Sequence, residues 1–500
     1  MRVKKILFII SLCSFIACKK DDDDFFVNED PASFTEIGTL DIGDVGAAEI
    51  SAYDPATQRL FVVNNGTTNK IDVIDFKNPS APVVIKSIPV TIYGGFVNSL
   101  DVSNGKLAAA IESANKQDAG KVVVFKTDDY SEVKIVNVGS LPDMVTYSPD
   151  GKYILTANEG EPSADYLNDP LGTVSVISVN DNYAVTNIDF SSFAGSQSTL
   201  AAAGLRVFGP GASFAKDMEP EYVAVSSDSK TAYVTLQENN AIAKINIASK
   251  TVSAIYPLGF KDYNLSENKI DPSDKDAGPV LGNWKVQGMY QPDAISFIMV
   301  GGQPYLFTAN EGDVREYSAF TENKRVKDVK LDGTAFPNGS DLKKDEQLGR
   351  LNITTTMGDS DNDGDFDVLY SFGSRSFSVW NGNNGALVYD SKNELEVKSI
   401  AANVYDDTRS DDKGVEPEGL TTGIVGSYQL AFIGMERVDA VAVYDIANPS
   451  NPVFLQLLKC GDAPEGVLFI SAKDSPTKKS LLVVSSENDG VIKVYTPKTF

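Results

Sequence analysis

The sequence predicts an all-β fold, a single β-propeller with eight four-stranded blades, and three observations support that prediction. After about residue 33 the chain consists of short apolar runs separated by turn residues, with no long stretch of helical 3.6-residue periodicity. A unit made of an acidic residue, an apolar strand, a turn, a second apolar strand and an Asn- or Glu-rich loop recurs along the chain. The compact units span about 45 residues, the length of a four-stranded propeller blade.

The eight units begin near residues 49, 98, 143, 221, 293, 350, 418 and 465. Seven blades are the alternative, if one of these units is irregular. The last unit contains only three strands, and residues 34–42, which precede the first unit, can supply the missing outer strand. Such a strand would close the ring and remove the exposed edge of an open array. We therefore expect one propeller domain over residues 33–500.

Residues 1–17 have the pattern of a secretory signal peptide, with a basic start and an apolar segment too short to span a bilayer. Cys18 follows at once and resembles the cysteine of a bacterial lipobox, so we expect lipidation at Cys18 and attachment to the membrane through that lipid. Residues 18–32 would then form a flexible tether. The run KKDDDD at 19–24 resembles a surface-export signal, which predicts an outer-membrane lipoprotein exposed at the cell surface. A plain secretory signal followed by a chance cysteine is the alternative.

The composition excludes several classes of function. Lys and Arg number 44 against 69 Asp and Glu, and the net charge of −25 argues against nucleic acid as a partner. The chain has no histidine, which excludes a Ser-His-Asp triad, a Cys-His pair and a His-ligated zinc ion. Of the three cysteines, Cys13 falls in the signal peptide and Cys18 takes the lipid. Cys460 is left alone, and we interpret it as a buried apolar residue.

Four long insertions interrupt the repeat, near residues 191–217, 260–290, 333–349 and 394–416. Each is expected to precede an inner strand, which is the strand of a blade that lines the central channel. Loops that enter inner strands emerge at one end of a propeller, so the four insertions should cap that end. Because loops carry function more often than scaffold strands do, the capped end is the candidate ligand site.

Twelve carboxylates should converge around the mouth of the channel at the capped end. Six precede inner strands and six follow second strands: Glu49, Asp143, Glu221, Asp293, Glu418 and Glu465, and then Glu112, Glu159, Glu238, Glu311, Glu436 and Glu487. Close like charges repel one another unless they are paired or bind cations, so the set predicts a site for a cation or a basic ligand. The alternative is that each carboxylate caps its own loop by accepting hydrogen bonds from backbone N–H groups.

An Asp-rich loop in the unit at 350 predicts a calcium site. Its aspartates alternate along the chain: Asp359, Asp361, Asp363, Asp365 and Asp367. Gly364 permits a sharp turn, while the twelfth position is Tyr370 rather than the Glu of an EF-hand. The loop is similar to the calcium loops of integrin-type propellers. We expect it between the first and second strands of its blade, at the end opposite the carboxylates, where Ca²⁺ would be structural. A solvated acidic turn is the alternative.

Three basic residues lie among carboxylates in the loops of the capped end, namely Arg315, Arg409 and Lys413. They could hold a phosphate or carboxylate ligand, with a metal ion between the ligand and the acidic groups. An ion-pair network that locks the loops in place is the alternative interpretation.

Long strings of the sequence carry a family resemblance. They are LAAAGLRVFGPGASFAKDMEPEY (200–222), LGFKDYN (258–264), DKDAG (274–278), NWKVQGMYQPDAI (283–295), LFTANEGDVREY (306–317), LGRLNITTTMGDSDNDGDFDVLYSFGSRSFSVW (348–380) and RSDDKGVEPEGL (409–420). These strings resemble the choice-of-anchor I family of secreted bacterial propeller proteins. The resemblance covers nearly all of residues 33–500 and implies an extracellular propeller of poorly defined function. Its anchor here would be the lipid on Cys18, and no catalytic residue follows from it.

The leading hypothesis is a cell-surface lipoprotein whose calcium-stabilised propeller binds an extracellular ligand at the acidic, capped end. The alternative is a calcium-dependent phosphoesterase, alkaline-phosphatase-like or phytase-like, in which carboxylate-held metal ions activate water. Arg315 and Arg409 would then hold phosphate. The groups that bind metal or act as the base would be Glu159, Glu311, Asp313, Asp411 and Glu418. A purely structural or adhesive surface protein is the third possibility.

Overall fold

The computed structural model describes residues 25–500 of the chain. The predicted signal peptide and the predicted lipidation site Cys18 lie outside the described residues. Residues 25–500 contain seven four-stranded antiparallel sheets, which are the blades of a propeller, and two further sheets of five and two strands that lie in insertions. No helix of this part of the chain is long and apolar enough to cross a membrane.

The first strand, β1 (Thr35–Asp41), precedes the blades. Blade 1 consists of β2 (Ser51–Asp54), β3 (Arg59–Asn64), β4 (Lys70–Asp75) and β5 (Val83–Pro89), and blade 2 of β6 (Val97–Ser103), β7 (Lys106–Ile111), β8 (Ala119–Lys126) and β9 (Glu132–Ser140). Blade 3 consists of β10 (Pro142–Tyr147), β11 (Tyr153–Asn158), β12 (Thr173–Ser178) and β13 (Ala184–Ile188). Blade 4 consists of β14 (Pro220–Val225), β15 (Thr231–Leu236), β16 (Ala241–Asn246) and β17 (Thr251–Pro257).

Blade 5 is interrupted by strands of the insertions. The order is β18 (Phe260–Asp262), β19 (Gln287–Met289), the first two blade strands β20 (Ile295–Val300) and β21 (Gln303–Asn310), the inserted strands β22 (Glu316–Tyr317), β23 (Phe320–Thr321), β24 (Asn323–Arg325), β25 (Asn352–Thr354) and β26 (Tyr370–Ser371), and the last two blade strands β27 (Ser376–Asn381) and β28 (Leu387–Asp390).

Blades 6 and 7 follow. Three α-helices lie in the insertions, one before blade 4, one within blade 5 and one before blade 6. The strands are β29 (Pro417–Val425), β30 (Tyr428–Met435), β31 (Ala440–Asp445), β32 (Val453–Lys459), β33 (Pro464–Ile470), β34 (Leu481–Ser486) and β35 (Val491–Thr496). The α-helices are α1 (Gln197–Ala202), α2 (Gly339–Leu342) and α3 (Glu394–Ala401), and the 3-10 helices are Ser191–Ser196, Val326–Asp328, Asp407–Arg409 and Glu436–Val438.

The N-terminal strand completes blade 7. β1 pairs antiparallel with β35 and becomes the outer strand of the sheet β1-β35-β34-β33. Consecutive blades are in contact all the way round, including blades 7 and 1. At that last contact the hydroxyl groups of Ser51 and Ser485 are 2.6 Å apart. The two ends of the propeller chain therefore meet in one blade, which fastens the ring where it begins and ends.

The apolar core consists of layers between neighbouring blades. The middle strands of a blade are buried on both faces, as β3 and β4 show, because a neighbour covers each face. Phe61 of blade 1 and Val123 of blade 2, for example, lie in one apolar cluster. Cys460 is partly buried against the layer between blades 6 and 7. The outermost strands, such as β5, are largely exposed. This layering explains why the middle strands are continuous apolar runs in the sequence.

The structure has seven blades and does not confirm the eighth. The unit expected to begin near residue 350 forms no blade, because β25 and β26 belong to the five-stranded sheet β18-β19-β26-β25-β24. That sheet combines short strands from two insertions. The strands assigned by sequence to the second half of this unit, β27 and β28, complete blade 5 instead, since β27 pairs with β21 across the whole insertion.

The insertions all leave the propeller at one end. Those near 191–217, 260–290 and 394–416 precede the inner strands β14, β20 and β29. Residues 333–349 precede no inner strand and lie within the insertion between the second and third strands of blade 5. In an up-and-down blade that connection emerges at the same end as the loops entering inner strands. Tyr263 and Leu351, from two insertions, share an apolar cluster, so the insertions form one cap with its own core.

The folded domain begins earlier than the sequence suggested. Glu29 is fully buried, and its carboxylate accepts hydrogen bonds from the N–H and hydroxyl groups of Ser480 at 2.8 and 2.7 Å. The N–H of Asp30 donates to the carbonyl of Lys498 at 2.9 Å. Residues 29–32, which we expected in the tether, therefore pack on the propeller.

Replacing Gly466 by Ala should loosen the closure of the ring. The backbone carbonyl oxygen of Glu49 in blade 1 lies 2.2 Å from the position of a Cβ on Gly466 in blade 7. The added methyl group must push the two blades apart, and overpacking of this kind costs about 1–3 kcal/mol. Urea unfolding measures the loss. Gly195→Ala is the control, since its methyl group meets nothing within 4 Å. Equal stability of the two variants would contradict the tight contact.

Candidate functional site

An acidic ring surrounds the axis of the propeller. Each blade contributes the residue at or beside the start of its inner strand, and we call these residues the inner ring: Glu49, Asn98, Asp143, Glu221, Asp293, Glu418 and Glu465. All of them except Glu49 line an axial cavity of about 120 Å³. The six carboxylates of the inner ring were predicted from the sequence and Asn98 was not, because an amide is uncharged and does not stand out among polar loop residues. The signal that points to Asn98 is its position in the repeat, which an acidic residue occupies in the other blades.

A second ring lies at the ends of the second strands. We call it the outer ring: Asn65, Glu112, Glu159, Glu238, Glu311, Glu436 and Glu487. A cavity of about 440 Å³ is lined by residues of both rings, among them Asp143 and Glu159. Asn65 is the one amide of this ring, and it donates a hydrogen bond to the carboxylate of Glu49 at 2.9 Å. The repeat thus places two tiers of carboxylates at one mouth.

A proline and a left-handed residue lead into several inner strands. The inner-ring acids of blades 3 to 7 each follow a proline. In four of these blades the residue before the proline has a positive φ, at Leu141 (48°), Gln291 (42°), Glu416 (48°) and Ala463 (57°). Non-glycine residues seldom adopt this conformation, so its recurrence marks one turn that the repeat uses. That turn gives the acids which follow equivalent positions at the axis.

The string TANEG positions two residues of the outer ring in the same way. In blade 3 the buried Asn158 accepts a hydrogen bond from Thr156 and donates one to Ser175, at 2.8 and 2.9 Å. In blade 5 the buried Asn310 makes the same two bonds, both 2.8 Å long, with the equivalent threonine and serine. These bonds hold the second strand to the third just before the outer-ring glutamate. Glu159 and Glu311 therefore leave their blades in equivalent geometry.

The two rings form acidic triads at two equivalent places. In each, an inner-ring residue, the outer-ring residue of the same blade and the inner-ring residue of the next blade have carboxylate oxygens within 4.8 Å of one another. Triad 1 consists of Asp143, Glu159 and Glu221, and triad 2 consists of Asp293, Glu311 and Glu418.

Burial and mutual repulsion raise the pKa of many ring carboxyl groups. Burial raises the pKa of Asp143 to about 7, with a further contribution from the nearby Glu161. Burial and the charge of Glu487 raise the pKa of Glu49 to about 8. The pKa of Glu465 is raised well above its ordinary value, by burial and then by Glu49. The rings therefore hold more carboxyl groups than can ionise together unless cations enter.

Arg315, one of the residues predicted to hold a ligand, is bound within the cap. It is buried and pairs with Asp217 at 2.7 Å and with Glu219 at 2.9 Å. Its guanidinium also lies 4.3 Å from the centre of the Phe208 ring. This arrangement satisfies the donors of Arg315 with the chain's own groups.

Arg409 and Lys413 are likewise engaged with carboxylates. Both pair with the fully buried Glu416, at 2.7 and 3.2 Å respectively. Arg409 also pairs with Asp412 at 2.9 Å, and Lys413 pairs with Glu311 at 2.5 Å. Burial alone would lower the pKa of Lys413, but Glu311 and Glu416 raise it well above the ordinary value. The geometry matches the ion-pair network that the sequence left as an alternative.

The residues predicted to bind metal or act as a base fall in different places. Asp411 lies in the cap and pairs with Arg325 at 2.7 Å and Arg350 at 2.8 Å. Asp313 is close to Lys413, and burial raises its pKa to about 8 although Lys413 opposes the rise. The other three belong to the triads: Glu159, Glu311 and Glu418.

The Asp-rich loop lies in the cap, at the same end as the rings. The expected position at the opposite end is wrong, because β25 and β26, which flank the loop, belong to the insertion between β21 and β27. The N–H of Asp363 donates to Asp359, and that of Asp365 donates to Asp363, each at 3.1 Å. The carboxylates of Asp365 and Asp367 lie with that of Asp332, with oxygens within 4.8 Å of one another.

Fold and site together define a β-propeller with an acid-lined axial mouth under a cap of insertions. The choice-of-anchor I domain matches residues 49–449, and the chain belongs to that family. Membership in a choice-of-anchor family indicates a cell-surface or secreted protein.

Three known proteins show how far the likeness extends. The chain is 28% identical to Gigasin-3a of Magallana gigas over 188 residues, 31% of this chain and 66% of that protein. It is 26% identical to the mesenchyme-specific cell surface glycoprotein of Strongylocentrotus purpuratus over 310 residues, 52% of this chain and 39% of that protein. The chain thus spans less than two thirds of either relative. The solved hydrazine synthase of Kuenenia stuttgartiensis superposes with a TM-score of 0.51 at 12% identity, covering 92% of this chain and 97% of that chain, which shows the fold alone.

Without divalent cations, the protein should lose stability as the pH rises. The pKa of Glu49 is 4.5 in an ordinary environment and about 8 in the fold. Between these values the folded state binds more protons than the unfolded state, so the free energy of unfolding falls as the pH rises through this window. Because one pKa unit corresponds to about 1.4 kcal/mol, Glu49→Gln should reduce the fall by about 1 kcal/mol or more.

Urea unfolding at pH values near the two ends of this window, with a chelator present, measures the effect. Glu36→Gln on the outer strand β1 is the control and should show the wild-type fall. A Glu49→Gln variant that loses as much stability as the wild type would contradict the prediction.

Proposed function

We propose that the protein is a cell-surface propeller that binds a cationic ligand at its capped, acidic end. The observation that carries the proposal is the convergence of six inner-ring and six outer-ring carboxylates around one mouth. Glu238 and Glu418 each keep a buried carboxylate oxygen that no donor of residues 25–500 contacts. A metal ion or a basic group of a ligand would relieve the repulsion among these groups.

In this proposal a lipid on Cys18 holds the propeller at the outer membrane, with the acidic mouth outside the cell. The basic and apolar pattern of residues 1–17 and the cysteine that follows it support the attachment. Membership in a choice-of-anchor family is consistent with it.

The phosphoesterase alternative has no support in the site. Hydrolysis of a phosphate ester needs cationic groups free to hold the phosphate. The side chain of Arg315 is only 2% exposed and is bound by two carboxylates. Arg409 and Lys413 are bound to Glu416. Arg315 and Lys413 are buried in the cap, and Arg409, whose side chain is 29% exposed, is held by Asp412 and Glu416.

Calcium at the Asp-rich loop is the second part of the proposal. Ca²⁺ takes six to eight oxygen ligands, and alternate residues of a tight loop can direct their carboxylates at one ion. The alternation from Asp359 to Asp367, with Gly364 at a φ of 93°, has the residues that such an ion needs. The N–H groups of Asp363 and Asp365 already turn toward the preceding aspartates. A bound ion would stiffen the insertion and with it the cap.

A cationic probe should bind at the rings. A fluorescent hexalysine peptide is expected to bind the full chain, more weakly as the salt concentration rises, while hexaglutamate does not bind. The double variant Glu418→Gln/Glu465→Gln should weaken binding by about tenfold, which is about 1.4 kcal/mol. Fluorescence anisotropy gives the affinities.

The matched control is Glu36→Gln/Glu132→Gln, which removes the same charge from outer strands β1 and β9. It should bind the peptide as the wild type does. Equal weakening in both double variants would mean that only the net charge of −25 attracts the peptide, which contradicts a ring site.

Calcium should raise the melting temperature through the Asp-rich loop. An ion that binds only the folded state adds about 2.7 kcal/mol of stability at 100 times its Kd. Asp361→Asn/Asp363→Asn should lose that part of the gain, measured by calorimetric melting with Ca²⁺ and with a chelator. Asp128→Asn/Asp129→Asn, in an exposed turn of blade 2, should keep the full gain. An unchanged calcium response in the first variant would refute the loop site.

A further inference from the structure

The two acidic triads differ in one respect, which is that triad 2 contains a cation of the chain itself. The ammonium of Lys413 donates hydrogen bonds to Glu311 at 2.5 Å and to the carbonyl of Gly312 at 2.7 Å. Gln237 donates to the other oxygen of Glu311 at 2.9 Å. Burial and Glu311 raise the pKa of Asp293, and Lys413 opposes that rise. Positive charge is therefore built in at triad 2.

Triad 1 has the same positions in the repeat and no such cation. Among the described residues, no Lys or Arg forms an ion pair with Asp143, Glu159 or Glu221, and no donor hydrogen-bonds to their carboxylates. Glu159 is only 9% exposed, yet no group of residues 25–500 forms an ion pair or a hydrogen bond with its carboxylate. A carboxylate buried in this way is costly unless a positive charge joins it.

A sequence repeat explains the difference. The pattern Lys-x-x-Glu-Pro-Glu occurs at 216–221 and at 413–418, in the insertions that enter β14 and β29. In the second copy the lysine enters triad 2. In the first copy Lys216 acts on Asp169 instead, whose pKa it helps to lower against burial. The glutamate that would hold Lys216, Glu219, is bound by Arg315 at 2.9 Å.

Lys116 lies at the entrance to triad 1, and its charge opposes the rise in the pKa of Asp143. Its side chain is 50% exposed and pairs with Glu161 at 3.8 Å. It lines the cavity of about 440 Å³ together with Asp143 and Glu159. That cavity offers an ion a path from solvent to the triad.

We propose that triad 1, formed by Asp143, Glu159 and Glu221, binds a divalent cation of the class that prefers oxygen ligands, with Ca²⁺ as the probe. Three carboxylates supply up to six oxygens and exceed the charge of the ion by one, which suits a hard divalent cation. At triad 2, Lys413 already supplies one positive charge, through its pair with Glu311. This inference rests on the proposed function, because it names a cation at the same acidic mouth.

Calcium titration of the full chain by calorimetry tests the site, in the Asp361→Asn/Asp363→Asn background that removes the proposed loop ion. We expect one bound Ca²⁺ that Glu159→Gln abolishes or weakens by at least about tenfold. Glu132→Gln, which removes a carboxylate from the exposed outer strand β9, should retain it. Equal binding by the Glu159→Gln variant and its parent would overturn the proposal.

Melting temperature gives a second readout that a merely structural role would not produce. With a chelator present, Glu159→Gln should melt above its parent, because a buried repelling charge is gone. At saturating Ca²⁺ the order should reverse, because only the parent gains the ion. The same order under both conditions would overturn the site.

Two lysine variants test the comparison between the triads. Lys413→Gln opens triad 2 and should add one Ca²⁺ per chain, and a folded variant without that gain would overturn the equivalence on which the site rests. Lys116→Met should bind Ca²⁺ as tightly as its parent or more tightly. Binding seen only in Lys116→Met would show that Lys116 fills triad 1, which also overturns the proposal.

The outcomes separate this inference from the proposed function. Hexalysine bound at the rings without any Ca²⁺ at triad 1 would remove the inference and leave the proposed function. Ca²⁺ lost in Glu159→Gln, with no hexalysine bound, would leave the ion site and remove the binding of basic ligands.

Discussion

The arrangement of blades around a common axis is the constraint on which the site depends. Every inner strand begins at the same end of the ring, so the residue that begins it is brought toward the axis, and six of these seven residues line the axial cavity of about 120 Å³. Gly466 shows how close the blades approach there, since the carbonyl of Glu49 lies 2.2 Å from its missing Cβ. An acidic residue repeated about once per blade along the chain therefore becomes a dense cluster of carboxylates in space.

The cap depends on a second set of interactions, in which arginines are buried against carboxylates. Arg206 pairs with Glu322 and Arg375 pairs with Glu396, and all four side chains are no more than 2% exposed. Removing one partner of such a pair strands the other charge and typically costs about 3–5 kcal/mol. These buried arginines are thus committed to the structure of the cap, and within residues 25–500 no Lys or Arg forms an ion pair with a carboxylate of triad 1.

Short motifs allowed the rings to be predicted from the sequence. The Pro-acid pairs of blades 3 to 7 and the TANEG strings mark equivalent backbone positions, because each records a local turn or a hydrogen bond between adjacent strands. The Asp-rich loop was placed at the wrong end because β25 and β26, which flank it, lie where the repeat predicts the first two strands of a blade. Strand pairing across the insertion, between β21 and β27, is a long-range event that no local pattern reports.

The sequence by itself determined the all-β class, the repeat, the acidic positions and the family, since these depend on periodicity and on residues close together in the chain. Tertiary structure decided the count of seven blades, the end at which the Asp-rich loop lies, and which lysine reaches a triad. Lys216 and Lys413 occupy the same position of one motif but have different partners. The reason is that Glu219 is paired with Arg315, which lies about a hundred residues away in the chain. Contacts between distant segments set the charge of each triad, and a linear motif carries no record of them.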